Sequence, residues 1–174
     1  MKNNSPREIS FYRLTTLPLA KAAPKLIEKI YYSKQNLVVV CENEAIMKTI
    51  DDGLWVYSSK HFIPHATSLD EHASDQPIYI TTILENPNNA NIAISLGKLD
   101  LQDFPPQKYL YMFDGNIKEQ LEFARNKWKS YQGQGYNLTY WQQNSDGTWE
   151  KKILKIRKIY SLIQVSPIHW LCRL

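Results

Sequence analysis

LVVVCENEA, residues 37–45, decides how the rest of the chain is read. Leu37–Cys41 is an unbroken apolar run rich in β-branched residues. A strand with one wet face alternates polar and apolar positions, so a run without alternation belongs to a strand covered on both faces, as in parallel sheets. Glu44–Trp55 follows at once as a short helix. A buried strand feeding directly into a helix implies a crossover to a parallel neighbour.

The pattern repeats outward from this stretch. Upstream, Leu19, Ala22, Ala23, Leu26, Ile27, Ile30 and Tyr31 form one face of a helix over Leu19–Ser33, with Pro24 in its early turns. Glu8–Leu14 (EISFYRL) alternates and reads as a strand. Downstream, Pro64 keeps SSKHFIPHA irregular, and residues 67–76 read as polar loop. Ile78–Ile83, Ile92–Leu96 and Lys108–Phe113 read as strands. Asn116 reads as an N-cap with Glu119 three residues on, opening a helix that runs to about Gln132 and stops at Gly133 and Gly135. Tyr136–Gln143 and Thr148–Lys152 flank the Asp146-Gly147 turn as a β-hairpin. The order predicts an α/β domain with a central, mostly parallel sheet, a C-terminal β-hairpin and the first two helices on one face.

The totals fit one domain. The chain has 174 residues and 43% hydrophobic content, enough for a core. Its two cysteines, Cys41 and Cys172, show no CxxC spacing and suit a reducing cytosol. MKNNSPREIS carries no apolar signal-peptide core, and no stretch has the length to span a bilayer. The net charge of +4 is unevenly spread: all 17 acids lie at or before Glu150, while Lys151, Lys152, Lys155, Arg157, Lys158 and Arg173 follow it. Residues 1–150 are thus slightly acidic, which argues against a broad duplex-DNA-binding face.

Several chemistries lack their residues. The turn after the first strand, Thr15-Thr16-Leu17-Pro18, offers neither GxGxxG nor GxxxxGK[ST]. His61 and His65 are four apart, but Pro64 removes the helix that would align them on a metal. Asp51 and Asp52 are adjacent and diverge on a helix. No nucleophile motif is present. No cofactor, metal or catalytic residue is expected.

ARNKWKSY, residues 124–131, carries the one marked binding signal. On a helical wheel Ile117, Leu121, Ala124, Trp128 and Tyr131 share a stripe, with Lys118, Arg125, Lys129 and Gln132 along one shoulder, Lys127 on the other and Phe123 farther round. Arg125 and Lys129 are an i, i+4 like-charge pair, which costs a few tenths of a kcal/mol. Two readings stay open on these residues alone: a packed helix with a solvated basic shoulder, or a site that holds an anion beside an aromatic ring. Trp55 with Phe62, Ile63 and Pro64 has two as well, a seal on the sheet's end or an exposed anchor for a partner.

Taken together, FYRL, VVVCENEAIMKTIDDGLW, HFIPHA, NANIAISL, YMFDG and ARNKWKSYQGQGYNLTYWQQNSDGTWEKK resemble the chi subunit family of bacterial DNA polymerase III, in order, over about residues 9–152. The resemblance implies a three-layer, Rossmann-like domain without a nucleotide-binding loop, over residues 1–152. It implies a non-catalytic, cytoplasmic accessory subunit of the clamp-loader assembly in DNA replication. That subunit holds the acidic C-terminal tail of single-stranded DNA-binding protein, which ends in Phe, and so meets DNA indirectly. It also pairs with the psi subunit and can engage a helicase. Carried over by position, Arg125 and Lys129 take the tail's carboxylates and Trp128 walls the Phe pocket, with Phe113 and Tyr131 completing the wall. Trp55 and Phe62 face psi or the helicase.

Residues 153–174 extend past the usual family end as a basic, apolar segment, expected to pack peripherally and not to engage a membrane. Two competing functions remain for the whole chain. One is a direct single-stranded nucleic-acid-binding module using Lys127, Lys129, the C-terminal segment and Trp128 as a stacking platform. The other is a degenerate nucleotide-dependent enzyme.

Overall fold

A computed structural model describes residues 8–58 and 62–153. The expectations for His61, for Cys172 and for the C-terminal segment after Ile153 lie outside the described residues. The strands are β1 (Glu8–Leu14), β2 (Leu37–Cys41), β3 (His65–Thr67), β4 (Ile78–Thr81), β5 (Ile92–Leu96), β6 (Lys108–Asp114), β7 (Asn137–Gln143) and β8 (Trp149–Lys152). The α-helices are α1 (Leu19–Tyr32), α2 (Glu44–Trp55) and α3 (Lys118–Gly133). One sheet takes the order β3-β4-β2-β5-β6-β1-β7-β8. Its neighbours are parallel except at the β7–β8 hairpin.

β2 lies between β4 and β5 with all five residues buried. Its alternate side chains enter two different cores. Val39 and Cys41 join Ile27 and Ile30 of α1 and Ile50 and Leu54 of α2 on one face. Val38 and Val40 join Phe11, Tyr111 and Phe113 under Ala124 and Tyr131 of α3 on the other. The pleat sends successive residues to opposite faces, so only a wholly apolar strand satisfies both layers.

Three local expectations are corrected. The segment after Pro64 does not stay irregular: His65–Thr67 pairs with β4 as a short edge strand. Asn116 is not the N-cap. Ile117 takes that position in an extended conformation without a side-chain cap, because Asp114 Oδ1 already holds the Asn116 N–H at 2.8 Å. Ile117 also leaves the apolar stripe and is 41% exposed, whereas Phe123 is partly buried against Tyr111.

β1 sends the chain through α1 on one face, and β6, its neighbour, sends it through α3 on the other. The carboxyl ends of β1 and β6 therefore flank a topological switch, the place where open α/β sheets form ligand crevices. Arg13 and Phe113 lie side by side there in register.

Candidate functional site

The turn leaving β1 shows what this crevice does not do. In nucleotide-binding folds the amides of this turn face phosphate. Here Gln143, buried at the end of β7, turns its Oε1 into the turn and accepts from Thr16 N at 3.0 Å and Leu17 N at 2.8 Å, with Thr15 N at 3.4 Å. An internal carbonyl thus occupies the amides, while Gln143 Nε2 stays buried without a partner among the described residues.

The α3 side of the switch differs. Trp128 is half-buried, wedged edge-on between Phe11 of β1 at 5.4 Å and Tyr140 of β7 at 6.1 Å between ring centroids. Arg125, one turn earlier, is half-buried, and Lys129 is exposed. Arg13 also reaches this face. Its side chain passes over Gly115, where any Cβ would collide with it, and its charge acts on the Tyr140 phenol. Arg13 Nε, Arg125 Nε and Trp128 Nε1 are all buried without an acceptor among the described residues. Buried polar groups are nearly always paired, so three orphaned donors around one aromatic wall mark a place that lacks an acceptor.

The electrostatics agree. Burial pushes the Arg125 guanidinium below its ordinary range, Glu122 opposes this, and the charge of Arg13 adds to it. Burial raises the Tyr140 phenol, while Arg13, by charge and hydrogen bond, and Arg125 pull it back. Tyr140 therefore sits within reach of both guanidiniums. Arginine does not shed its proton in proteins, so the repulsion persists until an anion compensates it.

Among the residues expected to wall this site, Phe113 and Tyr131 are closed off, at 2% and 1% exposure. The Tyr131 hydroxyl is bonded to that of Tyr111 at 2.7 Å. They back the wall from inside the core and offer it no surface. Lys127, on the far shoulder of α3, is ion-paired with Asp100.

A second surface lies at the end of α2. Trp55 and Phe62 are 60% and 62% exposed, with ring centroids 5.6 Å apart, and Val56 beside them is exposed too. His65 lies behind them, 5.0 Å from the Trp55 ring. Its Nδ1 donates to Ile63 O at 2.6 Å, and Nε2 approaches Asp51 at 3.3 Å without hydrogen-bond geometry. An exposed aromatic pair beside a helix end is the composition of a partner anchor.

The profile of the family described as "DNA polymerase III chi subunit, HolC" matches residues 7–139. The chain belongs to the DNA polymerase III chi subunit family. The match takes in the Trp55 surface and all of α3 but stops within β7, before Tyr140. Among similar proteins, the "Probable DNA polymerase III subunit chi" of Rickettsia prowazekii is 32% identical over 151 residues, covering 83% of this chain and 92% of its own. The "DNA polymerase III subunit chi" of Haemophilus influenzae is 29% identical over 142 residues, covering 74% and 92%. Membership of the chi family supports an accessory role at the replicase. None of the helices among the described residues is long and apolar enough to cross a membrane.

Helix spacing alone groups Arg125, Trp128 and Lys129 on neighbouring positions of α3. Arg13, Tyr140 and Gln143 have no such grouping. Each is a single polar or aromatic residue in a strand, and only the β1–β7 pairing, with Tyr140 opposite Phe11 and Gln142 opposite Arg13, brings them to the crevice.

Proposed function

We propose that the protein is a non-catalytic replicase subunit of the cytoplasm that captures the acidic C-terminal tail of single-stranded DNA-binding protein on α3 and pairs with the psi subunit through Trp55 and Phe62. The observation that carries the tail-binding reading is the orphaned donor set of Arg125 and Trp128 beside an aromatic wall. A carboxylate supplies the missing acceptor, and the tail's terminal Phe packs on the Trp128 edge.

The magnitudes suffice. Charge-assisted bonds from Arg125 and Lys129 contribute about 1.5–3 kcal/mol each, and a buried Phe about 1.5–3 kcal/mol. Together they reach the scale of micromolar binding, about −8 kcal/mol, before ordering costs. A direct nucleic-acid path is disfavoured because Lys127 is already ion-paired with Asp100. Nucleotide use is disfavoured because Gln143 occupies the turn amides.

The test is a pair of titrations on the whole chain, one with the isolated tail peptide and one with a bare single-stranded oligonucleotide. Saturable peptide binding with negligible oligonucleotide binding is expected. The reverse result sinks the tail-binding reading, and saturable ATP binding would overturn the non-nucleotide one. For the second surface, psi captured by wild type but lost by Trp55→Ala is the expected outcome.

A further inference from the structure

We propose that Arg13 of β1 is a second guanidinium of this site, so that a ligand carboxylate is gripped between the sheet and α3. The inference rests on the tail-binding reading and adds a residue to it. It is carried by four observations that have no other common explanation in the structure. Among the described residues Arg13 Nε is buried and unpartnered, as are Arg125 Nε and Trp128 Nε1. The charge of Arg13 acts on Arg125, with Glu122 the acid that opposes it there. Tyr140 lies opposite Phe11 and edge-on to Trp128, and the charges of Arg13 and Arg125 both act on its phenol. Gly115 leaves the Arg13 side chain a path that any larger residue would block.

Two neighbouring arginines would ordinarily be separated by rotamer changes into solvent. Here the absent Cβ at Gly115 leaves Arg13 room to lie inward. A planar carboxylate suits two guanidinium forks, each offering paired N–H donors. An amide would gain one acceptor and no charge. The site is therefore built to prefer a free carboxylate, such as a chain terminus, over its amide. Arg13, on the strand, would set this preference jointly with Arg125 on the helix, while Lys129, exposed on the outer shoulder, addresses the ligand's flanking acids.

The experiment titrates the full chain with two synthetic peptides, each of several aspartates followed by a terminal phenylalanine, one with a free α-carboxylate and one amidated. Wild type should prefer the carboxylate form. Arg13→Gln should weaken the carboxylate peptide about tenfold or more while changing the amidated peptide little. Tyr140→Phe keeps the ring that packs on Trp128 and should lose part of the same preference. Arg13→Lys should not restore it, because an ammonium lacks the fork. If Arg125→Gln weakens binding but Arg13→Gln binds both peptides like wild type, the Arg13 assignment is overturned and the tail-binding reading stands. If wild type binds neither peptide, both fall. A measurement on wild type removes dependence on the variants' folding: the Nε–H resonances of Arg13 and Arg125 should both move on adding the carboxylate peptide, and an unmoved Arg13 resonance overturns the proposal.

Discussion

Two neighbouring turns at the carboxyl edge of one sheet treat their hydrogen-bond donors in opposite ways. Where β1 runs into α1, the amides of Thr16 and Leu17 are taken up by Gln143 from the end of β7. Where α3 crosses β1, Arg13, Arg125 and Trp128 keep buried donors with no acceptor among the described residues. Other strand ends follow the first pattern. Asp70 accepts from Thr67 at the end of β3, Glu85 from Thr81 and Tyr79 beside β4, and Glu42 from Lys98 N beyond β5. The chain is thus able to close its own sheet edge, and the open stretch under α3 is a local exception. A satisfied edge serves stability, whereas an unsatisfied one costs stability and gains it back when a ligand arrives.

Breaking the closed side should give the largest effect. Gln143→Leu strips the turn of its acceptor, and urea unfolding should show a loss of about 2–4 kcal/mol, the sum of two or more lost bonds to part-buried amides. On the open side the effect should move from stability to binding. Arg125→Ala, and separately Lys129→Ala, should weaken the tail peptide 10- to 100-fold by calorimetry, with the unfolding midpoint nearly unchanged. Two variants that bind the peptide like wild type would place the pocket elsewhere. Raising the salt should weaken wild-type binding as well, since the lysine is exposed to screening.

The smallest effect sharpens the contrast from a third strand end. Hydrogen bonds from the Thr67 hydroxyl and amide hold the Asp70 carboxyl below the usual carboxylate range. A folded pKa below the unfolded one gives stability that is complete above the ordinary Asp value of about 3.9 and is lost as pH falls through the lowered folded value. Asp70 is exposed, so the contribution is less than about 1 kcal/mol. Asp70→Asn should remove that acid-side slope from the pH–stability curve without touching peptide binding.

How much of this could be read in advance depends on how far apart the partners lie in the chain. LVVVC announced a strand buried on both faces because five consecutive residues carry the message. The helical stripe of α3 placed Ala124, Trp128 and Tyr131 inward and Arg125 and Lys129 along one shoulder by local periodicity alone. His65–Thr67 was hidden because three residues after a proline are too few for a period. Asn116 misled because its backbone amide is already held by Asp114, so the chain enters α3 one residue later. Arg13 carried no signal at all. A lone cation near the end of an alternating strand reads as solvent-facing until β7, over a hundred residues away, supplies Tyr140.

That separation has a consequence for how the molecule comes to exist. β1 emerges first from the ribosome yet lies between β6 and β7, paired residue for residue with both. It cannot find β6 until about 100 further residues have been added, or β7 until about 130, roughly ten seconds at ordinary rates of synthesis. Such pairings make for high contact order and slow closure. The β1–β7 pairing that brings Arg13 and Tyr140 to one face is consequently one of the last features to form.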